Sequence, residues 1–173
     1  METKIDTHMA IEGEGFFKVT QNGNISYTRD GSFVRDDQGR LTTADGYLLD
    51  PPVTIPPDAT NLSISAGGVV SYQQNGISAT GPTIQISRFP NPAGLQNVGN
   101  NLYIETPASG AEVLGLPGVN GNGLIRQNYV EGSNVEVVSE LVSLITAQRA
   151  YEINSRAIRA GDEMLSSASD LVR

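Results

Sequence analysis

The chain has 173 residues, room for one domain or for one domain with an appendage, and enough to bury a core without covalent staples. It carries 11 Lys and Arg against 19 Asp and Glu, a formal charge of −8, which disfavours nucleic acid as a partner. Without cysteine there are no disulfides or thiolate sites, one histidine cannot build a multi-histidine metal site, and no apolar run reaches the ~20 residues of a membrane span.

Residues 1–10 read as a lead-in, with His8 a solvent-exposed side chain near a mobile terminus. Residues 11–106 read as a β-rich domain. Turn dipeptides punctuate short β-prone runs: Asn22-Gly23, Asp30-Gly31, Gln38-Gly39, Asp45-Gly46, Gly67-Gly68 and Asn75-Gly76. This is the rhythm of hairpins and a meander. The runs between them, Phe16–Thr20, Ile25–Thr28, Ser32–Val34, Arg40–Thr43, Gly46–Leu49, Leu62–Ser65, Val69–Gln73 and Thr83–Ser87, predict strands. Asp50-Pro51-Pro52 and Ile55-Pro56-Pro57 are expected to end pairing, because proline has no amide to give a ladder.

Residues 107–132 hold six glycines and two prolines and read as an extended connection rather than a core element. From 133 to 173 the texture changes. Ser133 or Asn134 caps, and Glu136 completes a capping box, for an amphipathic helix of ~35 residues and ~50 Å. One seam runs Val137, Leu141, Leu144, Gln148, Tyr151, Ser155, Ile158, Asp162, Leu165 in steps of four and three. A second runs Ala150, Ile153, Ala157, Ala160, Met164, Ala168, with small residues that admit a neighbouring helix closely. Two seams on one helix call for two neighbours, and the rest of the chain supplies no second helix. The fold class expected is mainly β: an irregular domain of hairpins and small sheets followed by one long helix.

Motifs for chemistry are few. Gly13-Glu14-Gly15-Phe16-Phe17 begins like a phosphate loop but lacks the third glycine and opens a strand. Asp36-Asp37-Gln38-Gly39 reads as a turn with solvated acids before it reads as half a calcium loop. Glu12 and Glu14 could pair as glycosidase carboxylates, but no tryptophan offers a sugar platform. Nine arginines against two lysines point instead to planar ion pairs at interfaces. The expectation is a protein that is not an enzyme, with no cofactor, no metal and no catalytic residue.

Several phrases together are more specific. Ile11–Phe17, Tyr27–Phe33, Gly39–Thr43 with Asp45-Gly46-Tyr47, Asn100–Tyr103 and Glu105-Thr106 resemble the bacterial flagellar rod and hook protein family. So do Glu131–Val135, Glu140-Leu141-Val142, Gln148–Ser155 and Asp162–Leu165, and the resemblance is strongest to the distal-rod members. It implies an axial structural subunit that polymerises with itself into a helical tube and transmits torque through the periplasm. The implied partners are other axial rod and hook proteins and the ring proteins around the rod, after export by the flagellar type III apparatus. It also implies that the chain is a fragment lacking an N-terminal helix, and it notes Asn128 where relatives usually carry glycine. Val137, Leu141, Leu144, Tyr151, Ile158 and Leu165, with Ala150, Ile153 and Ala157, are the expected assembly interface. The alternative is a secreted β-rich adhesin or tail-fibre module oligomerised by its helix.

Overall fold

The computed structural model describes residues 1–132 and 137–171, with side chains for 1–132, 141–161 and Met164. The chain divides into two units, Met1–Gly132 and Ser133–Arg173. The first is built of antiparallel strands, and the described part of the second, Val137–Leu171, is one helix, as the hydrophobic periods anticipated.

Fourteen strands are described: β1 Met9–Glu12, β2 Phe17–Gln21, β3 Asn24–Thr28, β4 Val34–Arg35, β5 Leu41–Thr42, β6 Leu48–Leu49 and β7 Thr60–Ile64, then β8 Val69–Gln74, β9 Ile77–Thr83, β10 Ile86–Arg88, β11 Gln96–Gly99, β12 Leu102–Ile104, β13 Val113–Gly115 and β14 Leu124–Gln127. They form a seven-stranded sheet in the order β11-β12-β3-β2-β6-β5-β4, a three-stranded sheet β7-β8-β9, and the pairs β1-β14 and β10-β13. Two hairpins follow directly from their turns. Asn22 and Gly23 have φ of +52° and +83°, and Asn75 and Gly76 +52° and +76°. Both central residues are left-handed, the primed turn that matches strand twist, so Gln21 faces Asn24 and Gln74 faces Ile77.

Alternation then fills the core. Phe17 and Val19 on β2 are fully buried while Lys18 and Thr20, which alternate with them, are not. Phe17 meets Phe33 edge to face at 5.2 Å, and Met9, Leu41, Leu49, Val53, Ile55, Val70, Ile84 and Ile86 close around them. Tyr27 sits on the other face of the sheet and is covered by Phe89 at 4.7 Å. That second cover is why β3 ends in three buried residues in a row.

Three expectations need correction. The first proline pair ends β6 at Leu49 as expected, but pairing resumes in an isolated bridge between the two pairs: Leu41 donates its amide to the Val53 carbonyl at 3.0 Å, and Ile55 donates to Gly39 at 2.8 Å. The prolines occupy 51, 52, 56 and 57, so Val53 and Ile55 keep their amides and are fully buried. Residues 107–132 are not a plain connection. They contain β13 and β14, and Ile125 is 2% exposed in the core. Glycine lets this stretch lie flush: a Cβ on Gly123 would stand 2.7 Å from the Glu12 carbonyl oxygen. Residues 1–10 are not a loose lead-in either, because the β1–β14 ladder continues outward through Thr3 to Asn128 (2.8 Å) and Glu2 opposite Tyr129. His8 is accordingly half-buried, bridged to Ser32, with Nδ1 3.0 Å from Thr3 Oγ1.

The helix α1 spans Val137–Leu171. The proposed caps Ser133, Asn134 and Glu136 lie outside the described residues. Gly161 does not interrupt the helix, and Thr146 Oγ1 donates back to the Val142 carbonyl at 2.8 Å.

Candidate assembly interface and an arginine clamp

In the Met1–Gly132 unit, three of the singled-out phrases converge on one side chain. Arg29 follows β3 and turns its guanidinium onto the loop after β1. Its Nη1 donates to the carbonyls of Gly13 (3.0 Å) and Gly15 (2.8 Å), Nη2 to that of Ile11 (3.1 Å), and Nε to Glu131 Oε2 (2.6 Å). The Phe16 ring lies 5.9 Å from the guanidinium carbon. Gly13 and Gly15 have φ of +114° and +137°, values that side chains rarely tolerate, and the loop presents its carbonyls to Arg29 in that conformation. A planar fork with five donors suits this task and an ammonium does not. The clamp joins Ile11–Phe17, the Tyr27–Phe33 phrase and Glu131, next to the end of the unit. Sequence reasoning missed it, since three of its four acceptors are backbone oxygens; the arginine excess was the signal, assigned to interfaces between chains.

Asn128 sits within the ladder that extends β1–β14, three residues before Glu131. Its φ is +66°, in the left-handed region where asparagine stands in for glycine, so the exchange keeps that backbone conformation.

A second polar cluster pins β2. Lys18 Nζ lies 3.0 Å from Glu112 Oε2 and 3.5 Å from Asp50 Oδ2, and Ser87 Oγ donates to Glu112 Oε1 at 2.6 Å. Burial alone would lower the Lys18 pKa, but the hydrogen bond and charge of Glu112, with Asp50, outweigh it and hold it above 10.5. Burial, then the Glu112 charge, raises the Tyr27 phenol well above 10.0. These shifts belong to a structural network, each member having a partner.

The candidate chemical motifs dissolve into turns and ion pairs. Asp36 accepts from the amides of Gln38 (2.9 Å) and Arg40 (2.8 Å) and from Arg40 Nε (2.7 Å). Desolvation opposes ionisation there, but these hydrogen bonds win and lower its pKa. Glu12 and Glu14 do not pair with each other; they face Arg126 (3.6 Å) and Arg88 (3.7 Å) respectively. Among the described residues no cluster of His, Asp or Glu could hold a metal, and no helix is long and apolar enough to cross a membrane.

The helix leaves its expected seam residues open. Leu141, Leu144, Tyr151 and Ile158 are 52–77% exposed, and Ala150, Ile153 and Ala157 are exposed as well. The side chains of Val137 and Leu165 lie outside the described residues. At 100° per residue, Val142 falls on the side of Ile153 and Ala160, and it too is exposed. It lengthens the second stripe toward the N-terminal end, a residue the sequence reading left out.

Comparison with known proteins joins the same segments. The model for the flagellar hook protein FlgE/F/G D1 domain matches residues 10–72, and that for the flagellar basal body rod FlgEFG protein C-terminal matches 126–171. The chain belongs to the flagellar rod and hook family. It is 46% identical to the flagellar basal-body rod protein FlgG of Caulobacter vibrioides over 166 residues, which cover 94% of this chain and 63% of the relative. Against FlgG of Buchnera aphidicola subsp. Schizaphis graminum it is 46% identical over 175 residues (98% and 66%), and against that of Bacillus subtilis 37% over 171 (95% and 65%). The chain therefore spans a little under two thirds of the length of these relatives. The family is one of structural rod proteins, and nothing in the comparisons supports the adhesin or tail-fibre alternative. Within this family context the Arg29 clamp ties the first matched segment to the beginning of the second.

Proposed function

We propose that this chain is part of a structural subunit of the flagellar basal-body distal rod. Its helix packs laterally in a helical homopolymer through Val137, Leu141, Leu144, Tyr151, Ile158 and Leu165, with Ala150, Ile153 and Ala157 forming the second contact. The observation that carries this is the two-striped helix with its apolar residues open, in a chain whose relatives are named rod proteins. Covering each large seam side chain is worth about 1.5–3 kcal/mol, less the ordering entropy. Head-to-tail contacts propagate into a tube instead of closing. Its partners are copies of itself, the other axial rod and hook proteins and the rings around the rod, and its place is the periplasmic part of the basal body after type III export. It works by packing, with no bond chemistry and no cofactor.

The test is Leu141→Asp in the complete protein in its own bacterium. Rod incorporation and swimming in soft agar are expected to be lost while the β unit keeps its circular dichroism; normal motility would overturn the seam.

A further inference from the structure

The ladder that extends β1–β14 is broken in two. Asn128 donates its amide to the His8 carbonyl at 2.8 Å and accepts from the Thr3 amide at 2.8 Å, so one residue faces two. Residues 4–7 bulge out between those bonds and are held on the inner side. Thr7 Oγ1 donates to the Phe33 carbonyl at 2.6 Å, and Gln127 Nε2 to the Asp6 carbonyl at 2.8 Å. Beyond the break the chain is lightly tied, and none of residues 1–3 and 129–131 is buried. Met1 and Val130 exchange two bonds of 2.8 and 2.9 Å, and the Thr3 hydroxyl lies 3.0 Å from His8 Nδ1 and 3.3 Å from the Asn128 carbonyl oxygen. Arg126 lies 5.0 Å from the Tyr129 ring, and Arg29 holds Glu131 at 2.6 Å.

Unfavourable features collect at the break itself. Lys4 has a φ of +58°, a left-handed conformation that crowds any β carbon. The Asn128 Oδ1 atom is buried without a hydrogen-bond partner, a cost that opening to water removes. On the inner side Met9 and Ile11 are core residues, and Ile125 opposite them is 2% exposed. A firm inner ladder, a light outer one and strain where they meet make a hinge.

We propose that residues 1–3 and 129–131 form a latch that opens at Lys4 and Asn128 as one unit while β1–β14 stays shut, with the Arg29–Glu131 pair as its catch. Opening frees residues 129–132, which lead toward α1, and lengthens that tether by up to about 13 Å. The use of the latch rests on the assembly reading above. A subunit that meets its own copies and other axial proteins keeps both its helix contact and its β-unit contact when their spacing differs.

Amide exchange of the 173-residue chain, followed by NMR at rising low urea, reads the opening. The Thr3 and Val130 amides are expected to share one protection factor, about 100-fold below those of Asn128 and Ile125. They are also expected not to respond to urea, because a local opening exposes little surface. Glu131→Gln is expected to speed both about threefold. Glu2 and Tyr129 face each other between the Met1–Val130 and Thr3–Asn128 bonds. At such a position the Cα atoms stand about 4.5 Å apart and a disulfide fits. In this cysteine-free chain, oxidised Glu2→Cys with Tyr129→Cys is expected to slow Thr3 and Val130 at least about tenfold, and reduction to restore them. Val130 as slow and as urea-sensitive as Ile125 overturns the latch. So does Thr3 far better protected than Val130, which is fraying from the end, and so do rates indifferent to Glu131→Gln. In the complete protein the same pair is expected to close in the oxidising periplasm and shrink the soft-agar swimming zone at least about twofold against either single-cysteine variant. Full swimming with the pair shown closed on a non-reducing gel overturns the use of the latch in assembly. The exchange pattern stands or falls whatever Leu141→Asp does to swimming, so failure of the latch and failure of the helix seam are told apart.

Discussion

Arg29 shows how one side chain can organise remote segments. Four of its five N–H donors' worth of bonding goes to Ile11, Gly13, Gly15 and Glu131, and its side chain is only 28% exposed. Arg29→Lys is expected to keep the charge, lose the fork, and lower stability in urea by about 1–2 kcal/mol. Glu131→Gln removes a half-exposed ion pair but leaves a hydrogen-bond acceptor, so it is expected to cost less than about 1 kcal/mol. Equal costs for the two would contradict the backbone-clamp reading. Lys18 and Tyr27 lead to a pH prediction. Both have pKa values raised by folding, so their stabilisation is complete below about pH 10, where folded and unfolded chains hold the same protons. Above it the unfolded chain releases protons first, and stability falls until the folded pKa values are passed. The urea midpoint is expected to drop above pH 10, and to drop less steeply in Lys18→Met; a flat profile to pH 11 would sink the network.

At the scale of elements, legibility tracked how local the cause was. Asn22-Gly23 and Asn75-Gly76 specify their turns from two residues, so β2, β3 and β8 could be placed from the sequence alone. Val53 and Ile55 could not, because their pairing depends on Gly39 and Leu41 arriving from elsewhere and the flanking prolines suggest the opposite. The same holds for β14, where the preceding Gly123 looks like a flexible joint until Glu12 and Glu14 are laid against it. β9 was missed for a related reason: Gly81 and Pro82 interrupt its pattern, and it lies at an edge where proline is tolerated. The helix was the clearest element, its period sustained over ten turns' worth of positions. Its apolar stripes, including Val142, make a further expectation at this scale. In dilute solution the chain should be monomeric or weakly associating, with fast amide exchange along residues 141–161, since the described apolar side chains of both stripes are exposed. Strong protection of those amides in the dilute chain would contradict it.

At the scale of the whole molecule, the Met1–Gly132 unit begins and finishes in the same place. The Met1 amino group donates to the Val130 carbonyl at 2.8 Å, and Thr3 to Asn128 at the same distance. Everything from the first strand to the last is thus a loop hung from a single doorway. Such a unit can be lifted out and grafted into a foreign scaffold at almost any tight bend, because the host has no gap to bridge. Its interior can also lengthen or shorten without shifting the two points where it joins its host.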